Sequence, residues 1–181
     1  SGALAAFKGK DVYISEPYYP HIWPVDYAVT VKSDVVGLAT AGNDIIVMTK
    51  GFPEILSFAH PSVLTQSKLP LSQACSSKKS IVTVGNSVYY ASPDGIVQIT
   101  GGSGQLITKQ LFTREQWQAL TPSSMIGGAH DNKLYMYTSG GLYIFDFAEG
   151  LSTLTTSSET NITAFFSDIE NDILYITQSS T

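Results

Sequence analysis

Residues 79–100, KSIVTVGNSVYYASPDGIVQIT, decide the fold. A run of β-branched residues leads to Gly85-Asn86, and a second run rich in valine and tyrosine closes on Ser92. Pro93-Asp94-Gly95 then precedes a third run, Ile96 to Thr100. β-Branched and aromatic residues suit a pleated, half-buried surface, and Gly-Asn pairs suit tight hairpin turns. Pro93 presets φ at the next corner and Gly95 supplies the positive φ that releases the following strand. The stretch reads as consecutive antiparallel hairpins.

The pattern recurs. ALAAFKGKDVYIS (3–15), VVGLATAGNDIIVMT (35–49), SMIGGAHDNKLYMYT (124–138) and ITAFFSDIENDILYIT (162–177) share its apolar run, polar turn and second strand closing on Ser or Thr. The closing residues Ser15, Thr49, Ser92, Thr138 and Thr177 lie 34, 43, 46 and 39 residues apart. TKGFPEILSF (49–58) and TSGGLYIFDF (138–147) repeat the second turn, and Gly104 to Thr108 leaves room for a fourth strand. Four short strands per unit of about forty residues is the arithmetic of a β-propeller blade, whose two apolar faces are buried by stacking on neighbours. The expected fold is all-β: a β-propeller-like array of about four and a half four-stranded antiparallel blades. A sandwich or barrel is the rival, but neither requires a regular period. Residues 1–181 are expected to form one propeller-like domain; the fifth unit shows only two strands, so either the missing strands sit in a longer parent chain or the array is open and a partner covers its edge.

One segment leaves the sheet pattern. TREQWQALTP (113–122) predicts a short helix near 113–121, with Thr113 as N-cap, Gln116 completing a capping box and Pro122 just beyond the end. Trp117 and Leu120 share a face, which suits an aromatic anchor against a blade or a stacking platform for a ligand.

Composition narrows the function. The chain is 43% hydrophobic and 14% charged with net charge −5, and Arg114 is its only arginine. Clustered positive charge is missing, which argues against nucleic acid as a partner. No run approaches the eighteen apolar residues of a membrane helix, and the N-terminal residues do not read as an export signal. The single cysteine, Cys75, reads as a small buried apolar residue.

Chemistry-bearing motifs are scarce. His21, His60 and His130 show no metal-ligand spacing, and TGGSGQLITK (100–109) lacks the lysine and helix of a phosphate loop. Asp168, Glu170 and Asp172 alternate in SDIENDI without the glycine and distal glutamate of a calcium loop. No Gly-x-Ser-x-Gly elbow occurs, and one arginine cannot build the carboxylate clamp of a propeller sialidase. The expectation is a protein that is not an enzyme, with no catalytic residues, no cofactor and no metal.

EPYYPHIWP (16–24) crowds aromatics and prolines into the slot where other units turn into a third strand. Pro17, Pro20 and Pro24 each lack a donor and restrict the preceding residue, which predicts an extended, non-sheet connection. Tyr18, Tyr19 and Trp23, with Trp117, form the candidate interaction surface; packing between units is the competing role for the loop.

The ordered series VYISEPYYPHIWP, GNDIIVMTKGFPEIL, ACSSKKSIVTVGNSVYYASPDGIVQI and LFTREQWQALTPSS, spanning residues 3–140, resembles bacteriophage and prophage virion proteins of the tail, nozzle or head-to-tail assembly. Ser15, Glu16, Pro20, Ser92, Pro93, Asp94, Gly95 and Trp117 match that signature in structural roles only. The resemblance implies a non-enzymatic scaffold of a phage or prophage tail or neck, assembled in the host cytoplasm and located in the virion. Its implied partners are other virion proteins and further copies of itself, without nucleic acid or membrane. The alternative is a host-surface glycan-binding module of a phage tail, and a third reading is a propeller glycosidase.

Overall fold

The computed structural model describes residues 2–146 and 154–179. Phe147, the last residue of the expected 138–147 hairpin, and the closing Ser180-Thr181 lie outside them. The described chain is built almost wholly of antiparallel β-meanders. The first sheet has three strands, β1 (Ala5–Lys8), β2 (Asp11–Ile14) and β3 (Ala28–Thr30). The second has four: β4 (Val35–Ala41), β5 (Asp44–Thr49), β6 (Glu54–Phe58) and β7 (Leu64–Lys68). The third comprises β8 (Val82–Val84), β9 (Ser87–Ser92), β10 (Gly95–Thr100) and β11 (Ser103–Leu106). The fourth comprises β12 (Ile126–His130), β13 (Lys133–Thr138), β14 (Gly141–Asp146) and β15 (Leu154–Ser157). The fifth has β16 (Ile162–Asp168) and β17 (Ile173–Gln178).

These are repeated four-stranded blade-like sheets at the period read from the closing hydroxyls, with shorter sheets at the two ends. They do not close into a ring. Each sheet meets the next through its first strand: β1 lies by β4, β4 by β8, β8 by β12 and β12 by β16.

Period-2 geometry explains the continuous apolar runs. In β5, Ile45 and Val47 point into a core shared with the first sheet, while Ile46 and Met48 point into a core shared with the third. In β9, Val88 and Tyr90 face the second sheet, and Tyr89 and Ala91 face the fourth. Middle sheets are therefore buried on both faces. Each interface has its own core.

The closing hydroxyls have a local cause. Thr49 Oγ1 donates to Phe52 O (2.8 Å) and accepts from the Gly51 amide (3.0 Å), holding the turn into β6. Ser92 Oγ donates to Gly95 O at 2.7 Å, and Thr138 Oγ1 accepts from the Gly140 amide at 2.9 Å. A hydroxyl at this position replaces a backbone partner across the turn. Gly95 has φ 154°, and a Cβ there would lie 2.5 Å from Thr108 Oγ1, which accepts the Ile96 amide. Only glycine fits that corner.

Small residues also set the spacing of the first strands. A Cβ on Gly127 would meet Val82 at 2.5 Å, and one on Gly128 would meet Phe165 Cβ at 2.5 Å. β12 approaches both neighbouring sheets because it carries two adjacent glycines.

The helix forms as its sequence predicts, over α1 (Arg114–Ala119). The Gln116 amide donates to Thr113 Oγ1 (3.2 Å), and the Thr113 amide donates to Gln116 Oε1 (2.9 Å), completing the capping box. The helix lies between the third and fourth sheets, with Trp117 and Leu120 packed on their common core.

Two boundaries differ from expectation. The third strand of the first sheet is Ala28–Thr30, beyond the proline-rich loop, and residues 16–21 fold into tight turns in place of an extended connection, which the chain resumes by Pro24. Tyr18 adopts φ 64°, its amide donates to Gly2 O (2.9 Å), and the Tyr19 and Ile22 amides donate to Glu16 O and Tyr19 O (both 3.0 Å). The prolines remove donors from the sheet ladder, and the left-handed residue lets the remaining donors close on nearby carbonyls.

Candidate functional site

Tyr18, Tyr19 and Trp23 are brought to the surface by this loop. Tyr18 is 81% exposed, and Tyr19, Ile22, Trp23 and Val25 are exposed beside it. Tyr19 stands edge-on to His21 with ring centroids 6.2 Å apart. His60 approaches from the second sheet, with Nε2 3.7 Å from Glu16 Oε1 and its ring edge-on to Tyr27. The hydrogen bond from Tyr27 to Glu16 raises the phenol's pKa. The result is an aromatic ridge backed by a few polar contacts.

Trp117 does not join that ridge. It is 2% exposed, and its indole N–H donates to Ser92 O at 2.8 Å. Burial in the core between the third and fourth sheets makes it a packing anchor, with Phe112 tilted against it at 6.0 Å. This corrects its place in the candidate surface: a ring with a satisfied donor and no open face cannot stack on a ligand.

A second exposed apolar region lies at the other end. Phe165 of β16 packs toward the fourth sheet, its ring 6.2 Å from Tyr135, while Phe166 points away and is 65% exposed. Phe166 pairs across the hairpin with Tyr175, and the two rings lie 6.3 Å apart. Sequence reading missed this surface, because alternation shows that a strand has two faces but not which one lacks a neighbour.

It also missed a polar bridge between the fourth and fifth sheets. His130 Nδ1 and Ser167 Oγ share a hydrogen bond at 3.0 Å, and His130 Nε2 lies 3.5 Å from Asp172 Oδ1. Residues 37 apart leave no local signature of this pairing. Asp172 is almost fully solvated and none of the cavities described below borders the group, so it acts as an inter-sheet tie. Asp168, the last residue of β16, accepts from the Asn171 backbone and side chain, which lowers its pKa.

A cavity of about 620 Å³ between the first and second sheets is lined by Leu4, Ile14, Leu38, Asn43 and Phe58 among others, with no ionisable side chain. A more open cleft of about 650 Å³ beside β1 and β4 has Lys78 as its single charged residue. Among the described residues, no group of three or more His, Cys, Asp or Glu side chains is placed to hold a metal. Cys75 is buried, and burial pushes its thiol up to about 12, which removes it as a nucleophile at neutral pH. No helix among the described residues is long and apolar enough to cross a membrane.

No protein-family model and no curated protein matches the chain. Among solved structures it is similar to PorZ of Porphyromonas gingivalis, an essential bacterial surface component of the type IX secretion system, with a TM-score of 0.56 and 13% identity. The match covers 97% of this chain and 22% of PorZ, so the chain spans about a fifth of that protein's length. At this identity the likeness is one of fold. It overturns the expected kinship with phage and prophage virion proteins, since the matching fold belongs to a bacterial surface component. With that kinship fall the tail or neck scaffold, the tail glycan-binding alternative, the virion partners and self-assembly, and the virion location. The quoted motifs encode hairpin turns and blade-like strands, which report repeat geometry and carry no lineage of their own.

Proposed function

We propose that this chain is a run of consecutive blades from a β-propeller within a longer polypeptide, and that the polypeptide is a non-enzymatic component of a bacterial surface assembly. The observation that carries the reading is the ordered contact of first strands β1, β4, β8, β12 and β16, combined with a likeness that takes in nearly all of this chain and 22% of PorZ. Radial stacking of sheets buried on both faces makes a rigid body, and a rigid body presents its loops with little ordering cost on binding. Tyr18, Tyr19 and Trp23 form the contact surface, since exposed aromatics bring large area with few rotatable bonds.

The test uses antibodies raised against residues 1–181 on intact cells of the source organism. The expected result is an antigen larger than 19.5 kDa that external protease removes without lysis. An antigen of 19.5 kDa, or one protected until the cells are broken, would overturn the reading.

A further inference from the structure

In the second, third and fourth sheets the second strand is an interior strand: β5 lies between β4 and β6, β9 between β8 and β10, and β13 between β12 and β14. Its counterpart β17 has β16 on one side and no described strand on the other. The closing hydroxyls set these strands in register. The four residues before Thr49, Ile45 to Met48, are at most 7% exposed, and those before Ser92, Val88 to Ala91, at most 3%. The matching residues of β17 include Ile173, Tyr175 and Ile176, which are 43%, 49% and 38% exposed. β17 has the side chains of an interior strand and the exposure of an edge.

Real edges in this molecule look different. The outer strands β7, β11 and β15 read LTQSK, SGQL and LTTS, short and polar as an edge needs to be to avoid unwanted pairing. β17 reads ILYITQ, six residues with no charge and no proline. The turn chemistry agrees: Thr49, Ser92 and Thr138 hold the corner into a third strand, whereas Thr177 is exposed and donates back to Ala164 O at 3.3 Å.

We infer that the outer edge of β17 is the seat of a third strand of the fifth sheet, an extended segment with alternating aliphatic residues that pairs antiparallel with Ile173–Gln178 and comes from polypeptide outside residues 1–181. The inference deepens the reading above and rests on it. The occupant is named by internal repetition, since the same position is filled by β6, β10 and β14 in the preceding sheets.

The experiment transplants the chain's own third strand. Residues 178–181 are replaced by PDGIVQIT (93–100), which places the turn directly after Thr177 as it stands after Ser92. A control transplant carries proline in place of its Val97 and Ile99, whose amides face the preceding strand in the parent sheet, since those of Ile96 and Gln98 face the other way. Hydrogen exchange is read in β17, with β9, β10 and β13 as reference, and mass in solution is read by light scattering. The expected result is a monomer in which β17 amides exchange at least tenfold more slowly with the transplant than in the parent chain or the control. Equal exchange in all three, with β9, β10 and β13 protected, overturns this inference alone. A parent chain already dimeric through a protected β17 also overturns it, naming a second copy as the occupant. If β9, β10 and β13 are themselves unprotected in the parent chain, the blade array fails and the inference falls with it.

Discussion

Replacing Gly128 by alanine tests whether adjacent sheets are held at a fixed, close spacing. The added Cβ would stand 2.5 Å from Phe165 Cβ and 2.6 Å from its Cγ, against an ordinary carbon–carbon separation of about 3.5–4.0 Å. A change of rotamer cannot relieve the nearer contact, because Phe165 Cβ is fixed to the backbone of β16. The strand itself has to withdraw by about 1 Å. Overpacking of this kind typically costs about 1–3 kcal/mol. Among the described residues the fifth sheet is anchored through β12 against β16, Phe165 on Tyr135, buried Ile162, the His130 bridge and the Asn161 amide donating to Tyr137 Oη. Since about 1.4 kcal/mol is a factor of ten, local opening of β16 and β17 should rise roughly 5- to 150-fold. Hydrogen exchange read by mass spectrometry should show this acceleration in residues 162–178 and no change in β9 or β10. Gly127→Ala should instead loosen the contact between the third and fourth sheets, where Val82 and the Ser80 carbonyl are the obstacles. Unchanged exchange in β16 and β17 for Gly128→Ala would refute the claim that these glycines set the spacing.

Three further outcomes are expected. Thr113→Ala removes one half of the capping box and should destabilise the chain by about 0.5–2 kcal/mol in urea titrations, with Thr113→Ser close to the parent. Trp117→Phe keeps an aromatic ring but loses the buried bond to Ser92 O, a loss of about 1–3 kcal/mol, and Trp117→Ala should cost about 3–5 kcal/mol; a Trp117→Phe chain as stable as the parent would remove the hydrogen bond from the account. Cys75 should resist iodoacetamide at pH 8 in the folded chain and react fully in guanidinium chloride. Because burial raises its folded pKa from 9.0 to about 12, its contribution to stability is complete below pH 9 and declines as pH rises toward 12. That decline should be absent from Cys75→Ala when the two are compared across the same range.

Much of the architecture was legible in local chemistry. The strand–turn–strand units, the hydroxyl at the end of each second strand, the Gly95 corner and the capped helix all depend on partners a few residues away. The helix shows the limit of that reading. Its capping box follows from Thr113 and Gln116 alone, but Trp117 serves as an anchor only because Ser92, 25 residues earlier, lies beneath it. The proline-rich loop failed for the opposite reason. A left-handed Tyr18 and its bond to Gly2 O turn a segment that prolines alone would leave extended. The phage resemblance failed because hairpin motifs describe repeat geometry rather than ancestry.

By itself the sequence determined the repeating antiparallel unit, its turns and its period, since backbone conformation and turn hydrogen bonds are decided within a few residues. Tertiary structure alone decided that β1, β4, β8, β12 and β16 stand side by side, that His130 ties two sheets, and that Tyr18, Phe166 and Tyr175 are exposed while Trp117 is buried. Burial depends on what packs against a face. Those neighbours lie tens of residues away, where an alternating pattern says that a strand has two sides and nothing of what covers each.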